Sequence, residues 1–231
     1  MKIRYEDIKP TFIKVLVASL ICAHVVCWSV CYIVSTRNGS LKYPNLFLSR
    51  AMDQDPSRAF ACVAFPIMAI MTGLVLLIRS VLLSARLKTR VHRRIWRAFN
   101  AFSIITSFCM IVVPAVPYSL SRPIHMAAAY SLFISGFMIM FISTYLDTVL
   151  RLEVVDWIRK LRLCLNILAF VGFLGFAVFF YMNSIISATC EIVAAACMFS
   201  FICTLAHESD FFSNYNTTLE AKPEQITSLS P

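Results

Sequence analysis

The chain has 231 residues, 59% of them hydrophobic and 14% charged, with a mean hydropathy of +0.76. A soluble domain of this length carries about a quarter charged residues and lacks repeated apolar runs of roughly 20 residues, each able to cross a hydrocarbon core of about 30 Å. The formal charge of +9 lies beside such runs, where it sets topology and meets anionic lipid, so it is not a nucleic-acid footprint.

The start MKIRYEDIKP is charged, and the apolar run behind it lacks a small-x-small cleavage site. It reads as a first membrane helix acting as its own insertion signal, over about Thr11 to Val34. The segment from Ser35 to Arg58 is polar and rich in turn formers, including Asn38-Gly39, Pro44-Asn45 and Asp53 to Pro56. The second span covers about Ala59 to Leu83 and leads into the basic link RLKTRVHRR. A third runs over about Ala98 to Val116 and stops at Pro117 and the SLSRP turn. The fourth covers about Ile124 to Leu146, followed by the link RLEVVDWIRKLR. The fifth, about Leu163 to Tyr181, meets the sixth, about Ile185 to Ala206, through a tight Asn183-Ser184 turn. A polar tail completes the chain.

Loop charge orients these spans. With the N-terminus in the cytosol, Lys2, Arg4, Lys9 and Lys14 share that side with Arg86, Lys88, Arg90, Arg93, Arg94 and Arg97. Arg151, Arg159, Lys160 and Arg162 join them, and only Arg37, Lys42, Arg50, Arg58 and Arg122 fall opposite. The positive-inside rule selects that arrangement. The expected fold is an all-α integral membrane protein: a cytosolic N-terminus (1–10), a six-transmembrane-helix bundle (11–206) and a cytosolic tail (207–231).

Small residues allow close helix contact in the fourth, fifth and sixth spans: Ser135-Gly136, Gly172, Gly175 and Ala194-Ala195-Ala196. Most of the nine Cys lie inside apolar runs (Cys22, Cys27, Cys31, Cys109, Cys164, Cys197 and Cys203), and no CxxC pair occurs. They suit helix packing better than a metal or redox centre, so neither metal nor cofactor is expected.

Candidate functional groups are polar residues placed where oil makes them costly. His24, near the middle of the first span, needs a partner; it reads either as a bond to a neighbouring helix or as part of a buried head-group or proton site. Glu191 lies in the first turns of the sixth span, His125 opens the fourth, and Arg58 ends the long first loop, all on the non-cytosolic side. A carboxylate, an imidazole and a guanidinium converging there could bind a phosphate or ester head group, or move a proton; the alternative is that they tie loop to helices. Asp147 and Asp156-Trp157 fall where interface residues are expected. Arg86, Lys88, Arg90, Arg93 and Arg94 are candidate contacts to anionic phospholipid, though topology alone would also select them.

Asn38-Gly39-Ser40 is a glycosylation acceptor pattern too close to the first span for easy access by a transferase, and Asn216-Thr217-Thr218 falls in the cytosolic tail. No GxGxxG, P-loop, HExxH or GxSxG pattern is present, so the chain reads more as an accessory membrane factor than as an autonomous enzyme.

Within the first loop, Tyr43-Pro44-Asn45-Leu46 is followed by Leu48-Ser49-Arg50-Ala51 and Pro56-Ser57-Arg58. With Ile124-His125, Cys190-Glu191 and the ending His207 to Phe211 (HESDF), this order resembles the six-span Frag/DRAM/Sfk membrane protein family. The loop, Ile124-His125, Cys190-Glu191 and Lys222-Pro223-Glu224 look most like its post-GPI-attachment lipid-remodelling branch, although His207-Glu208-Ser209 stands where that branch has an aromatic-rich ending. The resemblance implies help in maturing GPI-anchor lipid in a Golgi or endoplasmic reticulum membrane, by presenting lipid to a partner enzyme. The alternative within the family is an autophagy modulator or phosphoinositide-kinase scaffold in a lysosomal or plasma membrane. The expected partners are membrane phospholipid or GPI-anchor lipid, with a membrane enzyme or scaffold and no nucleic acid.

Overall fold

A computed structural model describes residues 10–43, 46–85, 87, 89–150, 154–182 and 184–208. Six helices account for most of them: α1 (Pro10–Arg37), α2 (Ser57–Ala85), α3 (Arg90–Ala115), α4 (Arg122–Val149), α5 (Asp156–Phe179) and α6 (Ser184–Thr204). No strand occurs among the described residues. The shortest helix has 21 residues, which at 1.5 Å per residue is about 32 Å, enough to cross the oil. All six are apolar enough to do so, with mean hydropathy of 1.8 to 2.5 over their central windows. In oil a backbone must satisfy its own N–H and C=O groups, which is why each apolar run closes as a helix.

Consecutive helices pack against one another, and α1 also touches α6, so the ring closes. Phe12, Val15, Val25 and Val26 of α1 and Ile67, Ile70 and Leu77 of α2 face outward, as lipid-facing surfaces require. Inside, small residues set the approach. A Cβ on Gly172 would lie 3.1 Å from both the Ala194 N and the Cys190 O, so α5 and α6 meet backbone to backbone. Gly136 of α4 instead accommodates the end of Met198 from α6.

Two helices begin earlier than their apolar runs. Thr89, extended at φ −116° and ψ 161°, caps α3 by accepting the His92 N–H. The helix therefore starts at Arg90 rather than about Ala98, and residues 90–94 of the basic link belong to its beginning. Likewise α5 starts at Asp156, which places Arg159, Lys160 and Arg162 on a helix rather than in a loop. Arg86, Lys88, Pro44, Asn45, Arg151, Asn183 and the tail from Ser209, with Asn216 and Lys222-Pro223-Glu224, lie outside the described residues.

The loop between α1 and α2 folds over one end of the bundle. Gly39, at φ +69°, takes the left-handed conformation that ends α1, and its N–H reaches the Thr36 carbonyl. Leu41, Phe47, Leu48, Ala51 and Met52 are buried beneath the loop, around a short 3-10 turn at Arg50–Met52. The Tyr32 hydroxyl donates to the Leu46 carbonyl at 2.8 Å, and Ser35 bonds both the Ala51 carbonyl and the Ser57 hydroxyl. Across the bundle, Asp53 accepts from the N–H and hydroxyl of Ser119, at 2.9 and 3.1 Å, while Arg50 lies over the Tyr118 ring. This roofed end is opposite the end that carries the Arg90 terminus of α3.

Candidate functional site

Beneath the roof lies a cavity of about 110 Å³. Its walls come from α1, α2, α3, α4, α6 and the loop, and are mainly Met, Phe, Leu and Ala, with His24 and Glu191 among the few polar groups. Glu191 is 4% exposed, and its Oε2 accepts the Leu48 N–H at 2.8 Å. The adjoining Ser49 also faces the carboxylate through its N–H and hydroxyl. No ion pair to Glu191 occurs among the described residues. Its carboxyl group is met by neutral dipoles from the roof, so roof and carboxyl group depend on one another.

His24 sits deeper. Its Nδ1 lies 3.0 Å from the Leu20 carbonyl one turn back, and its ring stands 4.5 Å from that of Phe199 and 5.9 Å, edge-on, from that of Trp28. Contact with α6 through Phe199 is how the sixth helix meets the first at this level. Both partner rings line the cavity. So does Thr72, whose buried hydroxyl has no hydrogen-bond partner among the described residues.

The other two members of the expected head-group site stand elsewhere. His125 is buried at the start of α4, its Nδ1 2.9 Å from the Val116 carbonyl and its ring edge-on to Tyr118; its Nε2 is buried without a partner among the described residues. Arg58 is half-buried in the first turn of α2. No hydrogen bond or ion pair joins Arg58, His125 and Glu191. All three stand at the roofed end, but the cavity unites Glu191 with His24. Asn38 is exposed immediately after α1, hard against the span.

At the opposite end, Arg90, Arg93, Arg94 and Arg97 surround an open space of about 400 Å³. None of the four is ion-paired among the described residues.

A further cluster went unread in the sequence. Asp147, 1% exposed, is shared by Arg79 of α2 and Arg162 of α5, the latter at 2.6 Å. Arg79 also reaches the Ser143 hydroxyl, and Arg162 holds Thr204 of α6 through both its hydroxyl (2.8 Å) and its carbonyl (3.2 Å). Four helices are thereby pinned by one carboxylate. Asp147, near the end of α4, is thus a buried bridge between helices, and Arg162, at 0% exposure, is not part of a solvated loop. Arg79 stands alone among apolar neighbours in LVLLIRSVLL, and a lone arginine at that depth demands a counter-charge.

The Frag1/DRAM/Sfk1/Cwh43P N-terminal domain profile matches residues 11–211, which takes in all six helices and the roof. No curated protein and no solved structure matches the chain.

Proposed function

Because the chain belongs to the Frag1/DRAM/Sfk1/Cwh43P family, we propose that it assists GPI-anchor lipid remodelling in a Golgi or endoplasmic reticulum membrane, holding lipid for a partner enzyme rather than turning it over. The observation that carries this reading is the roofed cavity: apolar walls, one carboxylate and one imidazole beneath an ordered loop. Its volume of about 110 Å³ is below the roughly 300–1,000 Å³ of ligand sites. It accepts the end of an acyl chain or a few waters, and on this reading displacement of the roof is the route by which a whole lipid enters. Glu191 is the latch, since its bond to the Leu48 N–H holds the roof down. The polar end of the lipid then replaces Leu48 and Ser49 as donor to the carboxylate.

The latch and a proton-transfer role separate cleanly. Gln at position 191 keeps a carbonyl oxygen for the Leu48 N–H but cannot carry a proton; Ala keeps neither. Cells lacking the protein are complemented with wild type, Glu191→Gln or Glu191→Ala at matched abundance and trafficking, and GPI acyl chains are profiled. Remodelling by Glu191→Gln near wild type, with its loss in Glu191→Ala, is the expected result. Loss in both assigns the carboxylate a proton-transfer or charge role, and normal chains in the knockout itself overturn the remodelling function.

The competing reading is an autophagy modulator or phosphoinositide-kinase scaffold without catalytic activity. The arginine cluster at the far end supports it, because guanidinia without an ion pair among the described residues offer an anionic membrane or partner a docking charge. Location in lysosomal or plasma membrane, with changed autophagic flux and unchanged GPI chains in the knockout, distinguishes it.

A further inference from the structure

The outer face of α2 and α3 carries a groove of about 760 Å³, separate from the roofed cavity. This volume falls within the range of small-molecule sites. Ile70, Leu77, Ile104, Phe108 and Ile111 give it an apolar, outward-facing lining. Between them stand Asn100, Ser103 and Ser107; the Ser103 hydroxyl is returned to the Phe99 carbonyl of its own helix, and the Ser107 hydroxyl lies against Gly73 of α2. The Ser107 hydroxyl is buried and has no hydrogen-bond partner among the described residues.

Helical spacing joins this groove to the arginine cluster. Positions three, four and seven apart share one face, so Arg93, Arg97, Asn100, Ile104 and Ile111 form a single stripe along α3. Its apolar part lines the groove, and its first two arginines, with Arg90 and Arg94, border the open space at the helix start. Four like charges spaced three and four apart repel one another, and they crowd the positive end of the helix dipole. A phosphate in that space relieves both conflicts. An acyl chain attached to it runs naturally down the stripe.

We propose that the α2–α3 groove binds one anionic glycerophospholipid from the leaflet at the Arg90 end, its phosphate between Arg93 and Arg97 and one chain along Ile104 and Ile111. Trp96, whose indole N–H is held by the hydroxyl and carbonyl of Ser80, forms a fixed wall at interface depth. The site is independent of the roofed cavity and of any role in GPI-lipid maturation.

The test is native mass spectrometry of the full-length protein titrated with phosphatidylserine or phosphatidylcholine. Arg93 and Arg97 are exposed and Ile104 is 71% exposed, so substitutions there leave the core intact. One phosphatidylserine per chain should be retained in preference to phosphatidylcholine. Arg93→Gln with Arg97→Gln should weaken its retention about thirtyfold, two surface charges at roughly fivefold each. Ile104→Trp, which fills the groove, should lower retention of both lipids, and millimolar deacylated glycerophosphoserine should not compete. Equal retention of the two lipids by the wild type overturns the proposal, as does competition by the deacylated head group. So does retention unchanged in either variant, or a dimer that Ile104→Trp abolishes.

Discussion

Replacing Asp147 by Asn removes the one negative charge that Arg79 and Arg162 share, at exposures of 2% and 0% for the two arginines. The amide is nearly isosteric and keeps an acceptor oxygen, so the change is in charge rather than volume. Removing one partner of a buried ion pair costs about 3–5 kcal/mol, because the remaining charge stays desolvated. For a chain of this length, each kcal/mol corresponds to about 2–4 °C in Tm, giving a drop of roughly 6–20 °C. The assay is thermal unfolding in detergent followed with a thiol-reactive dye, since Cys27, Cys31, Cys109 and Cys197 are buried in the folded bundle. Asp156→Asn is the control: its partner Arg159 is 3.5 Å away and its side chain is 85% exposed, so no measurable shift is expected. An Asp147→Asn protein melting within about 2 °C of wild type would refute the view that this carboxylate pins the four helices.

Glycine substitutions distinguish backbone from side-chain contact. At Gly172 a methyl group meets backbone atoms that cannot retreat, so Gly172→Ala is expected to cost about 1–3 kcal/mol; at Gly136 the obstacle is the mobile end of Met198, and Gly136→Ala should cost less. Equal losses of Tm in the two variants would contradict that packing. Asp53→Ala removes both acceptor contacts to Ser119, and hydrogen exchange across residues 46–53 should quicken while the helices stay protected; unchanged exchange there would mean the roof is held by its other ties alone. His24→Phe keeps the ring contacts to Phe199 and Trp28 and loses one bond to a carbonyl on its own helix. Melting should therefore shift by about 1 kcal/mol or less while lipid handling falls, and intact handling would reduce His24 to packing.

The six helices were readable because oil leaves a long apolar run no alternative to closed helical hydrogen bonding. The ends were less readable, since hydropathy marks where the oil stops and not where the helix stops. Thr89 caps α3 well before its apolar part, and Arg162 is carried into the bundle on a helix that begins at Asp156. Glu191 and His24 were each visible as costly polar groups, but their shared cavity depends on the contact between α1 and α6, which no local pattern encodes. Grouping Arg58, His125 and Glu191 by membrane side gave their level in the bundle without the partner of each. At the same level, His125 is turned to Val116 and Glu191 to Leu48. Arg79 was legible in principle: the lone charge in its run needed only to be matched with Asp147, the corresponding acid near the same end of α4.

The two buried acids of the spans serve opposite purposes, and this asymmetry favours the roofed end as the functional one. Asp147 is surrounded by guanidinium donors on separate helices, an arrangement that fixes geometry and leaves little charge to offer a ligand. Glu191 faces no cation among the described residues and is bound by the N–H of a loop rather than by a side chain of the helical frame. On the proposed function, a carboxylate met by loop N–H groups exchanges that donor for a ligand's, whereas one satisfied by two arginines in the helical frame cannot without disrupting the bundle. Hydrogen exchange of the roof in the presence of a GPI-type lipid therefore supplies the sharpest comparison. Lipid should change protection at Leu48 and Ser49 in the wild type and leave the Arg79–Asp147–Arg162 helices unaltered. Equal changes at both ends would show that lipid loosens the whole bundle and that Glu191 is no latch.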